Sequence, residues 1–397
     1  MKTLFGESII DGVLDVMKVS QEQAPQRSPA WLKKRYEFLT ASEVASTIRL
    51  IKHEIDLRDA GVFELPPEKK VGQTIPAYNS YAALLRKKCE PPMSGSSIGS
   101  IEMQWGVAYE DVVVSLYQVF NEVTIHEFNL IPHPTIPFIA ASPDGITSDG
   151  TMIEIKCPYS RKPSGLPKIQ YWIQMQQQME CCNMEQCDFI DVVIREYGCR
   201  DAYIEDCYGD SNVPKNESDP NDHGFIYGRT ASGNPKGIMI ERNIYDPITD
   251  RNSYKYYYAP VLHFESEEEE NTWLEEWATQ IYGELDGDSK RILNVMTRGN
   301  ETYNIRYWYV EEWNCVRVKR DREWFKKRYP DLKNFWDVVQ KCRAEGIPAE
   351  LPGPVSHDQE DAPFKRNPSM VRTVSRPRVP KEPKPTTSAD CLFLEDD

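Results

Sequence analysis

Two carboxylates and an amine lie close together in residues 138–158, FIAASPDGITSDGTMIEIKCP. Two β-prone runs, residues 138–147 and 151–156, flank a loop-forming Ser-Asp-Gly. A three-residue loop with Gly150 in the left-handed conformation would set Asp144 opposite Glu154, so that both side chains share one face of the sheet. A tighter two-residue turn would shift the register by one and send them to opposite faces. The longer loop therefore predicts a pair of converging carboxylates.

Such a pair has the chemistry of a metal site. Lys156 lies two residues beyond Glu154 and points to the same face, because side chains alternate along a strand. Close carboxylates repel unless a cation lies between them, and their oxygens are the ligands that Mg²⁺ takes. The backbone carbonyl of Ile155 could add a ligand, and Lys156 could orient and activate a metal-bound water. The alternative is a surface hairpin with solvated charges, and the apolar residues between them argue against it.

The pattern S-P-D-G, a short spacer and E-I-K resembles the PD-(D/E)XK nucleases. More narrowly, it is similar to the phage lambda exonuclease and YqaJ-like viral recombinase (alkaline exonuclease) family. The resemblance implies an α/β fold with a restriction-endonuclease-like core, in which helices flank a central mixed β-sheet that carries a large insertion. It also implies a Mg²⁺-dependent deoxyribonuclease, with Mn²⁺ as a substitute ion. This enzyme would digest DNA 5′ to 3′ from duplex ends in viral recombination, replication or repair.

A second motif lies near the start of the chain, in residues 28–48, SPAWLKKRYEFLTASEVASTI. Ser28 and the following proline predict a helix start, and Thr40 with Glu43 predicts a capping box on a second helix. On their own, these residues favour a solvated arginine and a structural cap. The arrangement W, three residues, R, then TAS is however similar to the opening motif of lambda-type exonucleases. By that resemblance, Arg35 and Ser42 hold the terminal 5′-phosphate of DNA.

Two predicted helices add further site residues. In the helix 101–120, the pattern G-x-x-x-E resembles the family element that brings a third acid to the metal, which makes Glu110 a metal ligand; an exposed helix glutamate is the alternative. In the helix 168–184, Y-x-x-Q-x-Q resembles the closing motif, and Gln174 would position water or phosphate. A solvated glutamine face is the alternative there. The catalytic set is then Asp144, Glu154, Lys156 and Gln174, and the metal ligands are Glu110, Asp144, Glu154 and Ile155.

Composition fits one large α/β domain with an insertion. The chain has 397 residues, of which 40% are hydrophobic, and a net charge of −15. That charge argues against nonspecific coating of nucleic acid but not against a nuclease with a local basic channel. Ten cysteines without a signal peptide predict reduced thiols in an intracellular protein, and no apolar run is long enough for a membrane span. A viral protein of this kind would work in the host nucleus or cytoplasm.

The chain divides into three predicted parts: an N-terminal extension (1–27), a nuclease domain (28–345) with an insertion at about 200–260, and a disordered Pro-rich basic tail (346–397). Within the domain, the patterns predict a strand pair, 302–310 and 315–319, and then two helices, 322–328 and 332–343. The tail could tether DNA or act as a localisation signal.

Two other functions stay open at this point. A structure-specific endonuclease could use the same core, and a catalytically inactive interaction protein could use the same fold. Duplex DNA ends are the expected substrate and a single-strand annealing protein is a candidate partner, whereas the oligomeric state is open.

Overall fold

The computed structural model describes residues 28–90, 100–206, 229–248, 251–259, 267–282, 295–298 and 301–354. The N-terminal extension, residues 207–228 of the predicted insertion and the basic stretch of the tail lie outside the described residues. The rest forms a mixed α/β structure with a central sheet flanked by helices, as predicted.

The helices of the described residues begin at α1, where Pro29 follows the capping residue Ser28. The Ser28 hydroxyl accepts a hydrogen bond from the Trp31 N–H at 3.2 Å, which confirms the predicted start. In chain order the α-helices are α1 (Pro29–Arg35), α2 (Lys52–Asp59), α3 (Tyr81–Cys89), α4 (Ile101–Asn121), α5 (Ile169–Cys182), α6 (Arg200–Glu205), α7 (Glu267–Tyr282) and α8 (Arg322–Glu345). The predicted second helix is a 3-10 helix, Ala41–Thr47.

The strands form a large sheet and a small one. In chain order they are β1 (Leu39–Thr40), β2 (Ile125–His126), β3 (Ile131–Pro132), β4 (Ile139–Ala141), β5 (Gly145–Thr147), β6 (Met152–Lys156), β7 (Gln186–Glu196), β8 (Lys236–Asp246), β9 (Arg251–Tyr258), β10 (Val295–Arg298) and β11 (Glu301–Lys319). The order of neighbouring strands in the large sheet is β2-β5-β6-β7-β11-β8-β9, and β10 also pairs with β11. Among the described strands of this sheet, only β6 and β7 pair in parallel. The small sheet runs β1-β4-β3.

The central hairpin has the longer of the two loops considered. Gly150 has φ +85°, and Gly145 pairs with Ile153, so the next pair outward brings Asp144 opposite Glu154. The run 138–147 is however not one strand, as predicted, because the chain leaves the small sheet after β4 and joins the large one at β5. Pro143 lies at this crossing, where it removes no ladder hydrogen bond.

Two sequence-based boundaries after β7 are wrong. The predicted strands 302–310 and 315–319 are one strand, β11, because a bulge at Val310/Glu312 absorbs the irregular residues without ending the pairing. The two predicted helices are likewise one helix, α8, that continues through Pro330. Apolar residues from both halves of α8 enter one core, and their burial outweighs the lost backbone hydrogen bond.

The insertion is also more than a loop, because β8 and β9 extend the central sheet beyond β11. The Tyr258 hydroxyl of β9 donates to the Ala108 carbonyl of α4 at 2.8 Å. This part of the insertion is therefore built into the main structure.

Two of the apolar cores among the described residues lie on opposite faces of the sheet. Along β6, Met152 faces the core that contains α5 and α8, whereas Ile153 and Ile155 face the core beneath α4. Glu154 and Lys156 share the face of Met152, since side chains alternate. From α5, the buried Gln177 donates to carbonyls of β1 and β4 at 2.9 and 3.1 Å, which holds the small sheet beside the end of β6.

Candidate active site

Glu154 is a fully buried acid beneath α5, with 0% of its surface exposed. Lys156 forms an ion pair with its Oε1. Gln174 donates to the same oxygen at 2.6 Å, and Gln178 donates to Oε2 at 2.8 Å. Burying a carboxylate is costly without such partners, so the glutamine face of α5 is a binding surface for this charge and not a solvated face.

Asp144 lies beside it, at the entry to β5. Its Oδ2 accepts a hydrogen bond from the Ile155 N–H at 2.6 Å. Burial raises the pKa of Asp144 well above its usual value, and the negative charges of Glu154 and Glu110 raise it further. Lys156 acts in the opposite direction. Glu154 and Glu110 thus lie close enough to affect the ionisation of Asp144.

A single cavity of about 190 Å³ collects the side chains that the sequence motifs indicate. Its walls include Arg35, Ser42, Glu110, Asp144, Glu154, Lys156 and Gln174. These residues come from α1, the 3-10 helix, α4, the hairpin and α5, which are far apart in the sequence. Ile155 contributes its N–H to Asp144, and the role of its carbonyl as a metal ligand stays a prediction.

The Arg35 side chain forms the other end of this cavity. Its Nη2 donates to the Thr40 hydroxyl at 3.0 Å and to the Ser42 hydroxyl at 3.1 Å. Its guanidinium lies 4.5 Å from the ring centre of Trp31, one turn earlier on α1. Arg35 and Ser42 are therefore brought together, with neutral hydroxyls as the partners of the guanidinium.

Behind them lies a buried cluster of charges. The predicted capping acid Glu43 accepts from the Thr40 N–H at 3.0 Å and also pairs with Lys88 at 2.8 Å and Lys87 at 3.1 Å. Burial alone would raise the pKa of Glu43, but Lys88, Lys87 and Arg35 outweigh it and lower this pKa to about 2. Burial lowers the pKa of Lys88 to about 8, although Glu43 opposes the shift.

Sequence reasoning missed several of these contacts. Gln178 lies one turn after Gln174, and this i, i+4 spacing was a usable signal for a second amide on Glu154. Tyr171, whose ring centre is 5.3 Å from the Lys156 Nζ, could have been found in the same way. The pairing of Lys88 with Glu43 had no local signal, because the two residues belong to separate elements.

The donor set fits a hard divalent cation. In the described chain, no three His, Cys, Asp or Glu side chains are grouped tightly enough to form a ready-made metal cluster. Glu154 is instead balanced by Lys156, and the pKa of Asp144 is raised by burial first and by its acidic neighbours in addition. A cation between the carboxylates would relieve this repulsion, and oxygen ligands are what Mg²⁺ prefers.

The chain matches a known family over this region. Residues 30–185 match the model of the YqaJ-like viral recombinase domain. This match agrees with the resemblance that the motifs indicated, and the mixed sheet agrees with the expected fold class.

The similar proteins include a viral relative and two solved structures. An uncharacterized protein of Acanthamoeba polyphaga mimivirus is 27% identical over 364 residues, which cover 82% of this chain and 54% of the relative. The chain thus spans about half the length of that relative. The alkaline exonuclease LHK-Exo from Laribacter hongkongensis is 26% identical, over 42% of this chain and 74% of that one, with a TM-score of 0.31. A phage related exonuclease from Haemophilus somnus is 12% identical, over 79% and 99%, with a TM-score of 0.34.

Among the described helices, none combines the length and the apolar character needed to cross a membrane.

Proposed function

We propose that this protein is a Mg²⁺-dependent DNA exonuclease that hydrolyses phosphodiester bonds from duplex ends in the 5′ to 3′ direction. The observation that carries the proposal is the single cavity in which three acids, a lysine and an arginine–serine pair meet. The match of residues 30–185 to the YqaJ-like viral recombinase domain supports the same activity. So do the words "alkaline exonuclease" in the description of a similar structure. Mn²⁺ is proposed as a substitute ion.

In this proposal, Asp144, Glu154, Glu110 and the Ile155 carbonyl hold the ion, which would neutralise charge on the phosphate oxygens. Lys156 orients the attacking water. Its ammonium pairs with Glu154, and its side chain is 22% exposed and lines the cavity. Gln174 keeps the Glu154 carboxylate aimed and offers an amide to water or phosphate.

Arg35 and Ser42 hold the 5′-phosphate of the DNA end. Among the described residues, the Arg35 guanidinium donates to the hydroxyl oxygens of Thr40 and Ser42. A phosphate would replace these neutral acceptors with charged oxygens, which form stronger hydrogen bonds. Exonuclease rather than endonuclease action rests on this pair. The products would be mononucleotides and a 3′ overhang, which suits a single-strand annealing partner during viral recombination.

The direct test is digestion of end-labelled linear duplex DNA with and without Mg²⁺, beside a covalently closed circle. We expect Mg²⁺-dependent release of mononucleotides from the linear DNA and an intact circle. Nicking of the circle would instead establish an endonuclease. If neither substrate is cut, and Glu154→Ala and Lys156→Ala behave as the wild type, the chain is a non-catalytic interaction protein.

Replacement of the arginine tests the 5′-phosphate site. In Arg35→Ala, we expect digestion of 5′-phosphorylated ends to slow by about tenfold to a hundredfold, the value of hydrogen bonds to a charged group, with a much smaller effect on 5′-hydroxyl ends. Lys34→Ala is the matched control, because Lys34 lies on the same helix and pairs at the surface with Glu37. Equal slowing on both kinds of end would remove the assigned role.

A further inference from the structure

A second and larger cavity, of about 490 Å³, opens at the N-terminal end of α4. Its walls come from the first turns of α4, the segment after β6, the end of β7, β9 and β11. Those on β9 and β11 lie beyond residues 30–185, which match the family model. The cavity is therefore a feature of the sheet extension in this chain.

Aromatic rings form much of its wall. The Trp105 ring lies 5.2 Å from that of Tyr159, nearly perpendicular to it, and Tyr256 lines the cavity from β9. Tyr159 is 39% exposed and Ile101, at the rim, is 55% exposed. The Arg195 side chain donates to the Tyr159 carbonyl at 3.2 Å, which fixes the segment that carries this ring. A ligand thus meets an accessible aromatic surface on an anchored backbone.

Charges in this cavity are already paired. Arg306 donates to Glu196 at 2.9 Å and also pairs with Glu241 on the neighbouring strand. The Tyr109 hydroxyl donates to Glu196 as well. A strongly charged ligand would have to compete with these pairs, so the wall favours a neutral group.

Hydrogen-bonding groups accompany the rings. The amide side chains of Gln104 and Asn304 line the cavity. The indole N–H of Trp105 is buried and has no acceptor among the described residues. An unsatisfied buried donor is unfavourable until a ligand accepts from it. Planar faces together with donors and acceptors match a nucleobase, which is neutral, stacks on aromatic rings and carries a polar edge.

The cavity adjoins the candidate active site through two shared elements. Trp105 precedes Glu110 by five residues on α4, a rise of about 7.5 Å along the helix. Tyr159 follows Lys156 by three residues, a reach of at most about 10 Å. The two cavities are therefore lined by neighbouring parts of the same two elements.

We propose that this cavity binds a base of single-stranded DNA by stacking on Tyr159, beside Trp105 and next to the proposed site of hydrolysis. The choice of DNA rests on the proposed function, but the binding itself does not need cleavage. The base is held without reading its sequence, because every base offers a flat face to an aromatic ring.

The test compares two fluorescent single strands of equal length, oligothymidylate and the same strand without bases, bound to the full chain in a metal chelator. Fluorescence anisotropy should show oligothymidylate binding at least about tenfold tighter, the effect of stacking one base. Tyr159→Ala should remove most of this preference, and Tyr159→Phe should retain it. Tyr245→Ala is the matched control, since Tyr245 is also 39% exposed but does not line the cavity.

Two results would overturn the proposal. Equal affinity of the wild type for both strands would mean that no base is bound, and would leave a protein segment as the occupant. Equal weakening of both strands by Tyr159→Ala, with unchanged thermal unfolding, would mean that the ring contacts only the backbone of DNA. A parallel nuclease assay separates the two proposals, because a base preference without any cleavage contradicts the proposed function alone.

Discussion

Helix α4 lines two cavities with opposite chemistry. Near its middle, Glu110 borders a small cavity where acids outnumber the cationic side chains, and where burial and the neighbouring acids raise the pKa of Asp144. At its N-terminal end, Trp105 borders a larger cavity where Arg306 and Glu196 neutralise each other. The first arrangement stores repulsion that a cation can relieve, whereas the second leaves ring stacking as the main attraction.

The comparison shows that a cavity's charge balance, more than its size, indicates its ligand. The larger cavity has no excess charge among its described residues to attract phosphate or metal. The smaller one holds the residue types that metal and phosphate need. If both conclusions are right, the two cavities respond to different substitutions.

The largest effect is expected from Glu154→Gln, which keeps the size of a fully buried side chain but removes its charge. We expect the rate of duplex digestion to fall at least about a thousandfold, because metal binding contributes several kcal/mol to such reactions. The preference for base-bearing single strands in a chelator should remain. Glu185→Gln, at a side chain that is 66% exposed, is the control. Loss of both properties would show that the cavities are not separate.

A smaller effect, on stability, is expected from Glu43→Gln. Glu43 belongs to the buried charged cluster behind Arg35, which lines the smaller cavity. The pKa of Glu43 is lowered from 4.5 to about 2 in the folded protein, which corresponds to roughly 3 kcal/mol of stabilisation. Because the folded pKa is the lower one, this stabilisation is present above about pH 4.5 and is lost as the pH falls toward 2.

Denaturant unfolding at several pH values measures it. The free energy of unfolding of the wild type should exceed that of Glu43→Gln at neutral pH, and the gap should close in acid. A gap that does not change with pH would mean that the ionised Glu43 is not what stabilises this cluster. The base preference of the aromatic cavity should be the same in both proteins.

The smallest effect is expected from chemical labelling of Cys199, an exposed thiol on the wall of the aromatic cavity. A bulky maleimide there should narrow the entrance of this cavity and weaken oligothymidylate binding a few-fold. It should not slow the Mg²⁺-dependent digestion of duplex ends. The Cys199→Ser variant, treated in the same way, corrects for labelling at other cysteines. If the label leaves the anisotropy titration unchanged, the base does not enter by this side.

Part of the smaller cavity was predictable because Asp144, Glu154 and Lys156 follow local rules. The Ser-Asp-Gly loop and strand alternation together set Asp144 opposite Glu154, and the register of β5 and β6 confirms that pairing. The capping box at Thr40 and Glu43 was found from local sequence, whereas the roles of Arg35 and Ser42 came from the family resemblance. Family resemblance added Glu110 and Gln174, which periodicity alone would have treated as surface residues.

The aromatic cavity was not predictable in this way. Its walls join α4 to strands more than a hundred residues later, and single-sequence patterns carry no information about such pairings. The strand β8 of the insertion was not predicted, because its pairing with the distant β11 leaves no local signal in the sequence. The predicted end of a helix near Pro330 was wrong for a related reason. Burial of the helix face in a core that includes distant residues outweighs the tendency of proline to end a helix.

β11 has a consequence for how the chain reaches its folded state. This strand pairs with β7 through its second half and with β8 through its first half. Arg317 and its ion-pair partner Asp188 on β7 are 129 residues apart in sequence. Contacts between residues so far apart in sequence form slowly, because the entropy cost of closing a long loop comes before the contacts can stabilise the chain. Until β11 pairs, one edge of β7 is open to pairing with other chains, which makes self-association a competing reaction during folding.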